Sequence, residues 1–396
     1  MRVLSVTAQK PCSTGSGVYL TEVVRALAKM GVSQAVVAGV TREDRVDMPE
    51  GVKVYPVYFA SEKLPYPVVG MSDEMPYTST RYRDMTEEMA GQFKVAFLEV
   101  LDEAIEKENP DIILCHHLYY LTALIRAHYP AKKVYGFCHN TDLRQMESIL
   151  FERNFIRQEI PKLDRIFALQ EAQKEKIKKI YPVSGKQMTV IGTGYNSEVF
   201  KKTGIKLSRK DGKIRMIFAG KITQKKGVKS LLRALNLLDY EKEKIQLILA
   251  GGAGNLVEYE EIKELADGCR YPVVFAGCVT QSRLAELYND CDIFVLPSMY
   301  EGLPLTVIES LACGDRVVMT KLEGIAEWLA DMVPDADIRY VLPPGMKGTD
   351  EPLEEELPAF ESRLAEALRE AIEEKDTKEC DVSRISWKKI AREVIR

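Results

Sequence analysis

Short runs of β-branched and other apolar residues alternate with helix-patterned stretches along almost the whole chain. This alternation restricts the fold more than any other feature. In the first half the runs cover residues 3–7, 35–40, 52–59, 111–115, 133–138, 165–169 and 188–191; in the second half they cover 214–219, 245–250, 272–276, 292–296, 316–320 and 340–342. Runs this apolar, separated by helices, indicate parallel strands covered on both faces. Each half therefore reads as a doubly wound α/β domain. At 396 residues the chain exceeds one ordinary core, so length also predicts two domains. The polar, glycine-bearing stretch from Phe200 to Gly212 lies between two apolar runs, which puts the boundary there, with domains at 1–205 and 206–380.

The helical stretches show clear faces. Leu20, Val23, Val24 and Leu27 recur at i, i+3, i+4 and i+7, with Gly31 as the stop. Val228, Leu231, Leu232 and Leu235 repeat the pattern. Leu357, Phe360, Leu364 and Leu368 lay an apolar stripe on an acidic helix whose charged face is read as solvated. Residues 62–89 differ: Pro65, Pro67 and Pro76 stand among Tyr66, Tyr77, Tyr82, Arg81 and Arg83, with little periodicity before Asp84. A long irregular segment in a compact α/β domain is usually functional or mobile.

The chemistry concentrates after the run 293–297. Glu301 sits in a turn, and Glu309 about one turn into the helix that follows. That spacing lets both carboxylates face one cleft beside a helix N-terminus. Unpaired amides and the helix dipole suit a phosphate there, and carboxylates suit sugar hydroxyls. A nucleotide-sugar carries both groups.

The wider pattern runs from strand through Pro297-Ser298, Glu301-Gly302, apolar residues and Glu309 to Ala312-Cys313-Gly314. It is similar to the signature of retaining GT-B glycosyltransferases of family four. The resemblance covers nearly the whole chain and includes Pro110-Asp111 before a strand, His139, and the segment 191–196. It implies two Rossmann-like domains facing each other across a cleft, the donor mainly on the second and the acceptor on the first. It also implies that the tail 381–396 holds a helix crossing back to the first domain, and that the domains close on donor binding.

Site residues follow from the resemblance position by position. In Gly220-Lys221-Ile222-Thr223-Gln224-Lys225-Lys226-Gly227 the family has Gly-Arg, then Lys-Gly, and both basic side chains bind the donor diphosphate. Lys221 replaces the arginine, keeping charge without a bidentate fork; Lys226 matches the lysine. Glu301 is implied to contact the transferred sugar and Glu309 the ribose. Backbone amides near Leu303, Leu305 and Thr306 are implied to meet the distal phosphate, and Pro304 has no N–H to add. Gly277-Cys278-Val279 is implied to meet the base through its main chain. Gly251-Gly252-Ala253-Gly254 shapes the same pocket or is a plain turn. Gly15 and Gly17 follow the first strand in the position of the family's glycine-rich loop, although a tight turn explains them equally and the full dinucleotide pattern is missing.

His139 ends a strand, where ligands gather in open α/β sheets, and resembles the family's first-domain histidine beside the reacting sugar. His116 and His117 end another strand, and adjacent strand residues cannot both face one side. Tyr77, Arg81 and Arg83 are the candidates for acceptor contact, weighed against a loop packed on its own domain. Asp290-Cys291-Asp292 spells a DxD metal motif, but Asp292 opens a strand where the family has an ordinary structural acid. The resemblance implies catalysis without a metal.

Composition closes off other classes. A net charge of −4, from 55 basic and 59 acidic residues, gives no case for nucleic-acid binding. Eight cysteines without CxxC spacing point to reduced thiols and the cytoplasm. The N-terminus lacks the pattern of a signal peptide, and no stretch has the length of a membrane span. The basic segment from Lys174 to Lys179 is read as a solvated face in preference to weak peripheral membrane contact.

The expectation is therefore a retaining, metal-independent glycosyltransferase with no tightly bound cofactor. It moves a hexose or N-acetylhexosamine from a nucleoside-diphosphate sugar, a UDP-sugar favoured, to a hydroxyl of a glycan, glycolipid or small molecule. The alternatives are a nucleotide-sugar epimerase on the same fold and a non-catalytic nucleotide-sugar-binding regulator. The sequence specifies neither the acceptor nor an oligomeric state.

Overall fold

The computed structural model describes the chain except Cys12, Glu74, Lys210, Gly254, Thr349, Asp350 and residues 375–379, and except the side chains of Leu207 and Ser208. Cys12, one of the eight cysteines, and Gly254 of the turn considered above lie outside the described residues. The rest forms two compact units, Met1–Gly194 with Trp387–Arg396, and Tyr195–Ser386. The division therefore falls at Gly194–Tyr195 instead of 205/206, and the return at Ser386–Trp387 instead of 380/381. Packing accounts for the first shift. Phe200 is buried with its ring 6.1 Å from Tyr288, and Thr203 bonds Asn289 Oδ1 through its amide (2.8 Å) and hydroxyl (2.9 Å). The polar stretch thus belongs to the second unit.

In unit 1 the main strands are β1 (Arg2–Thr7), β2 (Ser33–Val40) and β3 (Lys53–Tyr58), then β6 (Ile112–His116), β7 (Lys133–Phe137), β8 (Arg165–Ala168) and β9 (Met188–Val190). The short β4 (Val69–Gly70) and β5 (Thr80–Arg81) form a separate two-stranded parallel pair. The main sheet has the order β3-β2-β1-β6-β7-β8-β9, and every pair in it is parallel. Its helices are α1 (Gly15–Lys29), α2 (Glu87–Glu108), α3 (Tyr120–His128), α4 (Thr141–Ser148), α5 (Arg153–Glu159) and α6 (Glu171–Ile180). Leu20, Val23, Val24 and Leu27 of α1 are fully buried, each worth roughly 1.5–3 kcal/mol of burial. Gly31, in the left-handed region, follows that helix.

Unit 2 carries β10 (Ile214–Ala219), β11 (Ile245–Ala250), β12 (Val273–Gly277), β13 (Ile293–Leu296), β14 (Arg316–Thr320) and β15 (Ile338–Val341). They form a parallel sheet in the order β12-β11-β10-β13-β14-β15. Its helices are α7 (Ile205–Ser208), α8 (Val228–Asn236), α9 (Leu256–Asp267), α10 (Gln281–Asp290), α11 (Leu305–Ala312), α12 (Ile325–Met332) and α13 (Leu357–Glu373). The last helix, α14 (Trp387–Val394), packs on α1 in unit 1. Trp387 meets Tyr19 edge-on at 4.9 Å, and Arg165 binds Glu393 at 2.9 Å.

Residues 62–86 hold little regular structure but are not an open loop. Leu64, Tyr66, Val68, Val69, Met71, Tyr82 and Met85 are buried in the core of unit 1. Among the described residues no helix is long and apolar enough to cross a membrane.

Candidate functional site

In each sheet the strand order reverses direction once, between β1 and β6 and between β10 and β13. Loops after neighbouring strands part company there and leave a crevice at the carboxyl edge. Lys221, Lys226 and Glu301 of unit 2 and Gly15, Gly17 and His139 of unit 1 follow the carboxyl ends of β10, β13, β1 and β7.

In unit 2 the loop after β10 carries Lys221 and Lys226, and the loop after β13 carries Glu301. The two loops are joined at several points. Met299 N–H donates to the Lys225 carbonyl at 3.0 Å. Gly227, with φ of 74°, lies so close to β13's exit that a Cβ would stand 2.1 Å from the Pro297 carbonyl oxygen. Lys226 Nζ pairs with Glu301 Oε1 at 2.6 Å. Both side chains are mostly buried, so solvent screens the pair less than it would a surface ion pair.

Lys221 follows Gly220 in the same loop. The neighbouring turn after β11 presses on it: Ile222 N–H donates to the Gly252 carbonyl at 3.0 Å, and a Cβ on Gly251 would stand 1.7 Å from the Gly220 carbonyl oxygen. The turn at 251–253 is therefore closely packed. Cys278 is exposed and Val279 half-buried in the loop after β12; a Cβ on Gly252 would meet Cys278 Sγ at 2.8 Å.

α11 begins at Leu305 with Pro304 as its N-cap, and no side chain caps it. Its first amides, at Leu305 and Thr306, therefore head the helix without the usual capping oxygen. Leu303 is buried just ahead of them, and Glu309 is buried within the helix.

In unit 1, Gly15 is the first residue of α1. The Gly17 amide donates to Thr14 Oγ1 at 3.1 Å. Thr14 was not singled out from the sequence, although threonine before a helical pattern is a capping signal. The cap occupies the Gly17 amide, and an anion there would have to compete with the Thr14 hydroxyl.

His139 follows β7, half-buried. Its backbone N–H donates to the Asp142 carboxylate (3.2 and 3.3 Å), which also accepts from Leu118 N–H at 2.7 Å. Asp142 so ties the loop after β6 to the loop after β7; burial raises its pKa. His116 stacks on His139 with ring centroids 5.2 Å apart, and its Nδ1 lies 3.0 Å from His139 Nε2. His117 approaches the same ring at 4.9 Å. The rule that adjacent strand residues face opposite sides does not apply here, because His117 lies just past β6 with φ of 76°. A positive φ at a non-glycine residue carries strain that the surrounding packing must hold. No sequence signal marks it.

Burial lowers the pKa of His116, His117 and His139, that of His117 to about 3. The fold therefore favours the neutral rings, whereas the unfolded chain takes up protons below about pH 6.5. Stability is fully present above that pH and falls as pH drops toward 3. The loss is up to about 1.4 kcal/mol per pH unit for each histidine. Urea midpoints at pH 7 and pH 5 should differ less in His117→Asn than in the wild type; an equal pH dependence would refute this.

The remaining candidates are accounted for locally. Tyr77 packs on the core of unit 1 with Lys10 over its ring at 5.0 Å. Arg81 pairs with Asp84 at 2.5 Å and Arg83 with Asp73 at 2.6 Å. Asp292 accepts from Arg209 at 2.5 Å and from the Arg215 amide at 2.8 Å, so both of its oxygens serve the fold. On α6, Lys174 and Lys178 pair with Glu171 and Glu175.

Comparison with known proteins bears on the family and the fold. Residues 13–199 match the Glycosyltransferase Family 4 model, and residues 200–379 match the model for Glycosyl transferases group 1. An uncharacterized glycosyltransferase of Methanocaldococcus jannaschii is 28% identical over 172 residues, which cover 41% of this chain and 44% of that protein. The matched stretch thus spans less than half the length of that relative. Sucrose-phosphate synthase from Thermosynechococcus elongatus superposes with a TM-score of 0.69 at 15% identity, over 100% of this chain and 97% of that one. Anabaena HepE in complex with UDP and glucose gives 0.64 at 15% identity, over 100% and 98%. Two doubly wound parallel sheets, a lysine loop joined to a glutamate loop at a strand-order reversal, and family matches running from residue 13 to 379 lead to one assignment: the chain belongs to the GT-B glycosyltransferases of family four.

Proposed function

We propose that this enzyme transfers a hexose or N-acetylhexosamine from a nucleoside-diphosphate sugar to an acceptor hydroxyl, with retention of anomeric configuration and without a metal. The observation that carries the reading is the Lys226–Glu301 pair at 2.6 Å beside the uncapped start of α11. A cation, a carboxylate and a helix start without a side-chain cap, close together along the chain, support a reading of phosphate-linked sugar binding.

In this reading Lys226, Lys221 and the amides around Leu303, Leu305 and Thr306 stabilise the phosphate as the glycosidic bond breaks. The departing phosphate leaves on the face that the acceptor enters, and its oxygen takes the acceptor's proton. Glu301 holds hydroxyls of the transferred sugar, Glu309 those of the ribose, and the main chain at Cys278 and Val279 the base. Gly15, Gly17 and His139 serve from unit 1, with His139 positioning the sugar. Tyr77, Arg81 and Arg83 are proposed for acceptor contact; the arginines would first have to exchange their partners Asp84 and Asp73. A UDP-sugar is the favoured donor, in keeping with the UDP and glucose held by Anabaena HepE. Buried free thiols at Cys115, Cys138, Cys291 and Cys313 are in keeping with a reducing compartment such as the cytoplasm.

The test is a thermal-shift series against UDP-, GDP- and ADP-sugars, with and without EDTA, followed by assay of nucleoside-diphosphate release. Saturation at 100 times Kd stabilises by about 2.7 kcal/mol, so one donor should raise the melting temperature, unchanged by EDTA. Absence of a shift with every donor would overturn the donor site. A shift without turnover, across a range of sugar and lipid-linked acceptors, would favour a binding regulator.

A further inference from the structure

His139 does not stand alone. Its Nε2 lies 3.0 Å from His116 Nδ1, and both rings are held by their neighbours. His116 stacks on Phe137 at 4.7 Å and 12° and on His139 at 5.2 Å and 13°. Tyr19 meets the edge of His139 at 5.2 Å, and is itself held by Trp387 and by its hydroxyl bond to the Gly192 carbonyl. Burial keeps both imidazoles neutral, so a single proton lies between the two nitrogens.

That proton belongs to one ring or the other, and the choice sets the tautomer of both. If His139 Nε2 donated, His116 would carry its own proton on Nε2. That atom is buried and has no hydrogen-bond partner among the described residues. Orphaned buried N–H groups are rare, whereas an unfilled acceptor is the lesser loss. If His116 Nδ1 donates, its Nε2 is only an unused lone pair, and His139 must carry its proton on Nδ1.

We propose that His116 is a positioning residue that donates from Nδ1 to His139 Nε2 and thereby holds His139 as the Nδ1–H tautomer, a hydrogen-bond donor toward the substrate and not a base. This rests on the reading of His139 as a residue that positions the transferred sugar. It deepens that reading, because a histidine whose Nε2 is occupied and whose Nδ1 is protonated cannot accept the acceptor's proton. The leaving phosphate is then the acceptor of that proton.

The chain has four histidines, so its imidazole resonances can be assigned individually. Full-length protein labelled with 15N-histidine is examined by long-range proton–nitrogen correlation, with the His139 signal identified by its loss in His139→Gln. The wild type should show His139 as Nδ1–H. His116→Phe, which keeps a stacking ring but no donor, should release His139 to a mixed tautomer. It should also lower kcat for sugar transfer by up to about 100-fold with little change in donor KM. His116→Asn, which retains an N–H near the place of Nδ1, should restore both. A wild-type His139 found as Nε2–H would overturn the proposal without reference to activity. An unchanged kcat in His116→Phe with a shifted tautomer would overturn the positioning role. Should His116→Phe not fold, the wild-type spectrum and His116→Asn still decide. Full activity in His139→Gln would instead remove the underlying role of His139, and the functional half of the proposal with it, whatever the spectrum.

Discussion

Lys226→Ala is expected to lower the turnover number for sugar transfer by roughly 10²–10³-fold, the cost typical of removing one charge-stabilising group from a reacting centre. Lys226 is held at 2.6 Å from Glu301 in a mostly buried setting, so its charge is pre-positioned and weakly screened. In the proposed reaction that charge matters most when the phosphate departs, so kcat should fall more than donor affinity. The variant also strips Glu301 of this partner, and a melting curve must accompany the assay. Lys226→Arg, which keeps the charge in a different shape, should recover part of the rate. Near-normal turnover in a folded Lys226→Ala protein would sink the assignment of this residue.

Gly227→Ala is expected to destabilise unit 2 by about 3 kcal/mol or more, from the left-handed backbone and the clash together. The added methyl would lie 2.1 Å from the Pro297 carbonyl oxygen. Neither group is a flexible side chain, so the lysine loop must move away from β13. That movement separates Lys226 from Glu301, and activity should fall together with stability. Urea denaturation gives the first quantity and release of nucleoside diphosphate the second. A variant as stable as the wild type would show that the loop can shift freely and that the approach to Pro297 is not what sets the pair.

Much of this was legible in the chain because it rests on periodicity. The apolar runs at 3–7, 214–219, 245–250 and 316–320 correspond to β1, β10, β11 and β14 within a residue. Leu20, Val24, Leu231 and Leu235 are buried as their spacing requires. Strand and helix faces are local properties of the backbone repeat, so sequence alone carries them. Residues 62–86 were not legible in this way: Tyr66 and Tyr82 are buried in the core of unit 1 and Tyr77 packs against it, and no repeat announces that. The same holds for the boundary, which moved to Gly194–Tyr195 because Thr203 bonds Asn289, a partner far along the chain.

The candidate site divides along the same line. Sequence by itself determined which residue types stand at strand ends and helix starts: glycines that let loops approach, lysines, two glutamates around a helix start, and histidines ending strands. These depend on local chemistry and on the parallel topology that the apolar runs impose. Only the tertiary structure decided which groups touch. It paired Lys226 with Glu301, gave the Gly17 amide to Thr14, and turned His117 through a positive φ so that three imidazoles meet. It also tied the histidine loops together through the buried Asp142. Hydrogen bonds and ion pairs between loops depend on ångström-scale placement of distant segments, and that placement is a property of the packed whole.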